Sequence, residues 1–270
     1  MTKQSKDLKQ SQVTVPFGAT QTADPLGIDQ WASPMVWTES MLKTLLENKV
    51  RGGKWHTLYD KVYSERNLTV AAWKVIDKQG AAGIDRQTVD QLDAELLAEI
   101  TTLQQELKTE SYQPKPVRRV EIPKPGTRET RPLGIPTVRD RVVQTALLHV
   151  LEPIFDHTFH PRSFRFRHGR GCHDALRCVE QLLEGGNVFV VDADLKGYFD
   201  TIPKDRLLQL VKQKVSDHAV LRLIKLYLNQ EVMSELNDKM ISVARAAGVI
   251  DPTMRVRLEG TAAKLDEVKR

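Results

Sequence analysis

Val117-Arg118-Arg119-Val120-Glu121-Ile122, Pro123-Lys124-Pro125-Gly126 and Arg131-Pro132-Leu133-Gly134-Ile135-Pro136 form the stretch on which the fold turns. Two short β-like runs flank a tip rich in proline and glycine, which predicts a hairpin. Thr137 and Asp140 then open a helix. Val142, Val143, Ala146, Leu147 and Val150 form its inner side, and Pro153 is its expected end. A hairpin running into an amphipathic helix points to an α+β domain.

Charge concentrates on the same stretch. Between Gln113 and Arg141 stand Lys115, Arg118, Arg119, Lys124, Arg128, Arg131, Arg139 and Arg141, against only Glu121, Glu129 and Asp140. That excess equals the +5 of the whole chain, with 40 basic and 35 acidic residues. A second cluster, Arg162, Arg165, Arg167, Arg170 and Arg177, faces Asp174 alone and alternates with Phe164 and Phe166. Arginine forks bind phosphate oxygens in pairs, and aromatic rings offer faces to bases, so two such clusters flanking a helix favour a nucleic-acid partner.

N-terminal to the hairpin, residues from Trp55 to about Lys108 read as helical. Thr88 and Gln91 form a capping box ahead of Val89, Leu92, Leu96, Ile100, Leu103 and Leu107, which predicts one long amphipathic helix. Residues 1–54 read as a mobile arm with a short helix near Thr38–Asn48. Trp31, Trp37, Trp55 and Trp73 are expected to dock the N-terminal region onto the body.

On the C-terminal side, Asn187–Leu195 reads as an apolar strand carrying Asp192 and Asp194 on one face. Carboxylates at the end of a buried strand need a cation or donors, and magnesium fills that role where phosphate is present. A helix is expected from Pro203, and another over Asp217–Gln230 with an open apolar face at Val220, Leu221, Ile224 and Leu228.

Composition narrows the classes. The 270 residues contain no apolar run near the roughly 20 needed to cross a bilayer. Met1–Gln12 is polar and lysine-rich, unlike a secretory signal. Cys172 and Cys178 are too few for a disulfide framework, so a cytoplasmic protein without a membrane partner is expected. A zinc site from His157, His160, Cys172 and Cys178 fits no common knuckle spacing.

Taken in order, several motifs resemble those of bacterial group II intron reverse transcriptase/maturases. They are Gly83-Ile84-Asp85, Ile122-Pro123-Lys124-Pro125, Arg131 to Arg141, Ser163-Phe164-Arg165-Phe166-Arg167 and Asp192 to Asp200. The resemblance runs from about Trp55 to Asp238. It implies an α+β, incomplete right-hand polymerase fold, with fingers and partial palm over 55–238 and a divergent tail over 239–270. It further implies Asp194 as a catalytic aspartate holding Mg2+, with the backbone carbonyl of Leu195 as a second ligand. Lys124, Arg131 and Phe199 would meet the incoming deoxynucleoside triphosphate. Arg118, Arg119, Arg165, Arg167 and Arg170 would bind intron RNA or an RNA template paired with a DNA primer. Asp192 would support the site from behind.

The sequence also departs from the family pattern. Arg165 stands where the family has glycine, and His168 where it has proline. Neither Gly-Thr-Pro-Gln-Gly nor Tyr-Ala-Asp-Asp, whose aspartates complete the family's metal site, occurs in the 270 residues. The expectation is therefore a reverse transcriptase/maturase truncated before its second catalytic motif, inactive as a lone chain. The alternative is a non-catalytic intron-RNA-binding fragment or inert remnant. A complementing fragment or self-association would supply what is lacking.

Overall fold

The computed structural model describes residues 36–47, 53–167, 169–195 and 198–234. Residues 1–35, much of the expected arm, and the expected tail over 239–270 lie outside them. Helix α1 (Glu39–Leu46) begins at Thr38, whose hydroxyl accepts the Met41 N–H at 3.3 Å. Leu42 and Leu45 are buried, and Trp37 meets Trp55 edge-on at 4.9 Å. This tryptophan docks the N-terminal segment; Trp73, in contrast, is exposed.

Helices α2 (Tyr59–Val62), α3 (Glu65–Asp77), α4 (Val89–Ala94) and α5 (Leu96–Lys108) make the helical body. The Thr88–Gln91 capping box forms as its residue types require, with bonds of 2.9 and 3.2 Å. The single helix expected behind it is broken at Glu95, where φ −113° and ψ 20° leave the helical region. Leu92 and Ile100 are buried on either side of the break, while Leu97 faces solvent.

Strands β1 (Val117–Pro123) and β2 (Thr130–Ile135) pair antiparallel, from Arg118 opposite Ile135 to Pro123 opposite Thr130. Helix α6 (Val138–Asp156) follows, begun by the Thr137 hydroxyl accepting from the Asp140 N–H at 3.1 Å. It continues past Pro153, because Ile154 extends the buried stripe of Val143, Leu147 and Val150 by one turn. Helices α3 and α6 supply much of the core, where Leu68, Ala71, Ala72, Val142, Val143 and Ala146 are fully buried. Each fully buried leucine or valine contributes about 1.5–3 kcal/mol. Gly83 permits a close crossing: a Cβ there would lie 2.5 Å from the Thr137 Cα.

Beyond α6 come α7 (Cys172–Glu184), α8 (Tyr198–Thr201), α9 (Lys204–Lys212), α10 (His218–Leu228) and β3 (Val232–Ser234). The short strand β3 pairs parallel with β1, giving the sheet order β2-β1-β3. Two expectations need correction. The apolar face of α10 is not left open: Val220 and Leu223 join the core, and the Asp217 carboxylate caps α10 while accepting the Leu58 and Tyr59 N–H groups at 2.8 and 3.0 Å. The Asn187–Leu195 stretch is not a strand. Phe189 and Val191 are 93% and 91% exposed, and among the described residues no strand runs beside it. An apolar run becomes a strand only against a partner edge, whatever its periodicity.

Candidate nucleic-acid interface

Successive strand residues point to opposite faces, so the hairpin divides its arginines. Arg118 and Arg131 share one face with Val120, Ile122, Leu133 and Ile135; Arg119 lies on the other with Glu121. Adjacent arginines in one strand do not form one basic face. Arg119 Nε donates to Glu121 Oε1 at 2.9 Å, and the Thr130 hydroxyl donates to the other carboxylate oxygen at 3.0 Å.

At the tip, Lys124 Nζ meets Glu129 Oε2 at 2.6 Å, both groups being exposed. Such surface pairs are worth about 0–1 kcal/mol, so a phosphate exchanges readily for the carboxylate. Gly126 turns the chain at φ +75°, a conformation that suits glycine. Arg128 and Arg131 are exposed, and among the described residues neither meets an acidic side chain.

Three basic residues of the stretch serve the body instead. Arg139 pairs with Glu99 and Glu106, each at 3.0 Å. Arg141 donates to the Ala81 carbonyl at 2.7 Å, and burial lowers its pKa. Lys115 Nζ reaches Asp85 at 3.1 Å.

The base of the hairpin is held by a buried polar hub that sequence reading missed. Asp140 accepts from the Tyr112 hydroxyl in a short bond, from the Lys115 N–H at 3.1 Å and from Gln230 Nε2 at 3.4 Å. The Tyr112 and Tyr227 hydroxyls lie 2.9 Å apart. Burial pushes the Asp140 carboxyl above the usual carboxylate range, although its hydrogen bonds oppose the shift. Burial likewise raises both tyrosines. The available signal was an aspartate on the inner, apolar side of α6, three residues before Val143.

In the loop after α6, Arg167 spends all five donors internally. Nε and Nη2 hold the Asp156 carboxylate at 2.6 and 2.9 Å, and Nη2 also reaches the Asp156 carbonyl at 3.0 Å. Nη1 takes the His160 and Ser163 carbonyls at 3.0 and 3.1 Å. The bonded Asp156 carboxylate raises the pKa of this guanidinium. Arg167 is therefore a buried anchor of the loop, with no donor left for RNA. Arg170 donates to the Pro161 carbonyl, while Arg165 is exposed.

Asp192, Asp194 and Leu195 lie exposed on the unpaired stretch. Phe199 belongs to α8, with its side chain outside the described set. Among the described residues no three histidine, cysteine, aspartate or glutamate side chains converge as a metal site. Among the described residues no hydrogen bond or ion pair joins Asp194 to Lys124 or Arg131. Nor is any described helix long and apolar enough to cross a membrane.

Residues 122–248 match the family described as reverse transcriptase (RNA-dependent DNA polymerase). The match ends beyond Asp238, where the motif-by-motif resemblance stops. Protein YkfC of Escherichia coli (strain K12) is 40% identical over 163 residues, covering 58% of this chain and 42% of that protein. Group II intron-encoded protein LtrA of Lactococcus lactis subsp. cremoris is 34% identical over 188 residues, covering 68% of this chain and 31% of that protein. Nuclear intron maturase 2, mitochondrial, of Arabidopsis thaliana is 36% identical over 87 residues, covering 32% and 12%. The chain spans less than half the length of these curated relatives.

Proposed function

Because this chain belongs to the group II intron reverse transcriptase/maturase family, we propose that it contributes the RNA- and triphosphate-gripping fingers of an RNA-directed DNA polymerase. The observation that carries this reading is the β1–β2 hairpin, with Lys124, Arg128 and Arg131 exposed toward its tip and its base fixed by Asp140. Lys124 and Arg131 meet the triphosphate of a deoxynucleotide, and Phe199 checks its sugar. Arg118, Arg119, Arg165 and Arg170 meet RNA phosphates, of intron RNA or of a template carrying a DNA primer.

Asp194 and the Leu195 carbonyl are the proposed Mg2+ ligands. The described residues do not make a complete set: both aspartates stand on an exposed stretch, and no third carboxylate converges with them. Magnesium keeps its waters unless several oxygens replace them.

A second reading, RNA binding without catalysis, is favoured by one observation: Asp192 and Asp194 stand exposed on an unpaired stretch, and among the described residues no third carboxylate joins them. The exposed run from Val188 to Val191 supports association with a complementing chain or with a second copy. The test is RNA binding and primer extension by the 270-residue chain. Affinity should fall with salt by a logarithmic slope of about −0.7 per phosphate engaged. Primer extension is expected only with a complementing chain, and only while Asp194 is intact. Extension by the 270 residues alone, lost in Asp194→Asn, favours the enzyme reading; salt-insensitive or absent RNA binding ends both.

A further inference from the structure

Three phenylalanines stand in the loop after α6, and they are used differently. Phe159 lies under Arg167, whose Cζ is 5.6 Å from the ring centroid, and Phe164 is half-buried. Phe166 is 83% exposed. Its backbone sits at φ +57°, a left-handed conformation that a bulky side chain rarely adopts. The ring thus gains no burial from the fold, and the backbone is strained to hold it outward. Strain kept at an exposed aromatic residue is a reason to look for a ligand.

Two neighbours define the chemistry. Arg165, at a position where the sequence departs from the family pattern, lays its guanidinium over Phe166, with Cζ 4.8 Å from the ring centroid. The high exposure leaves the rest of the ring to solvent. Arg167, with its five donors spent on Asp156, His160 and Ser163, fixes the turn from below. Arg162 and Arg165 are exposed nearby, whereas Asp174 is engaged by Arg177 at 2.7 Å. A rigidly held aromatic face in cationic surroundings suits a planar base attached to phosphates better than an apolar peptide or a lipid chain.

We infer that Phe166 and Arg165 form a stacking platform for one unpaired base of single-stranded RNA. Phe166 takes the base on its open face, and Arg165 holds the ring from the other side while meeting the adjacent phosphate. The inference rests on the RNA-binding reading above and adds a residue and a mode: base stacking at Phe166, independent of the hairpin. It is sequence-tolerant, because every base has a π face.

The experiment titrates the 270-residue chain with a fluorescent, unstructured RNA oligonucleotide and with the same oligonucleotide made abasic. Phe166→Ala should weaken binding to the first by about 5- to 100-fold and leave the abasic chain unaffected. Phe166→Trp should retain affinity. The salt slope should be unchanged in Phe166→Ala, since stacking releases no counterions, and should shrink by about 0.7 in Arg165→Gln. Phe166→Gly supplies the folding control: relief of the positive φ should hold or raise the unfolding midpoint while affinity still falls. Unchanged affinity in Phe166→Ala, or an equal loss on the abasic chain, overturns this inference alone. Absence of RNA binding by the unsubstituted chain overturns it together with the reading on which it rests.

Discussion

Helices α5 and α7 are each 13 residues long and amphipathic, yet they fare differently. In α5, Ile100, Leu103 and Leu107 are buried against the helical body. In α7 no residue is buried, and Leu176, Val179 and Leu183 face solvent. The contrast extends beyond the pair: from Gly169 to Lys214 no described residue is buried, whereas Val215, Val220 and Leu223 rejoin the core. An apolar stripe states that a helix requires a partner, but not which one. The aspartates of the proposed metal site belong to the unburied region, and the basic hairpin grows from the buried one.

The largest expected effect tests that division. Leu103→Ala should cost about 2–5 kcal/mol in denaturant unfolding, because a fully buried leucine leaves a cavity. Leu176→Ala, at a site 64% exposed, should stay within about 0.5 kcal/mol. Equal costs would mean that α7 is packed in solution and would break the comparison.

The next effect is a pH dependence confined to the buried region. His149 lies between the Lys74 amine at 2.9 Å and the Asn67 amide oxygen at 2.8 Å, and burial with the Lys74 charge lowers its pKa to about 4. Between pH 6.5 and 4 the unfolded chain takes up a proton that the folded chain refuses. Stability from this group is therefore full above pH 6.5 and is lost as pH falls toward 4. The upper bound is about 3 kcal/mol, reduced by solvent at the exposed Lys74. Asp140, with its raised carboxyl pKa, has the opposite sign, losing stability as pH rises through its folded value. Comparing thermal midpoints with His149→Gln isolates the imidazole: the variant should show a flatter profile from pH 6.5 to 4, and an identical profile would remove His149 from the account.

The smallest effect on stability sits at the hairpin tip. Glu129→Gln should change unfolding by less than about 1 kcal/mol, since the Lys124–Glu129 pair is exposed. It should nevertheless tighten binding of a deoxynucleoside triphosphate, as Lys124 no longer has a competing carboxylate. Weaker binding by this variant would mean that Glu129 orients Lys124 and does not compete for it.

Legibility followed the range over which the deciding physics acts. The hairpin and the Thr88 capping box were readable because each is settled within a few residues. Thr137 and Thr38 likewise declared their helices. Asn187–Leu195 was misread because periodicity carries no information about a partner edge. Arg167 was counted among RNA ligands because the carboxylate that consumes it lies eleven residues earlier, on α6. Strand β3 is three residues long and offers no pattern to read, and the Asp140 hub joins residues from Tyr112 to Gln230.

That hub has a mechanical consequence. The seven residues of β1 make an arm of about 20 Å at roughly 3.3 Å per residue. A slack of roughly 5° at its root would sweep the tip through about 2 Å, comparable to the difference between a bonded and a broken phosphate contact. The root is where Asp140 gathers Tyr112, the Lys115 N–H and Gln230 onto one carboxylate. A buried group that touches no nucleotide thus governs aim: stiffness at the fulcrum becomes accuracy at the far end of the lever.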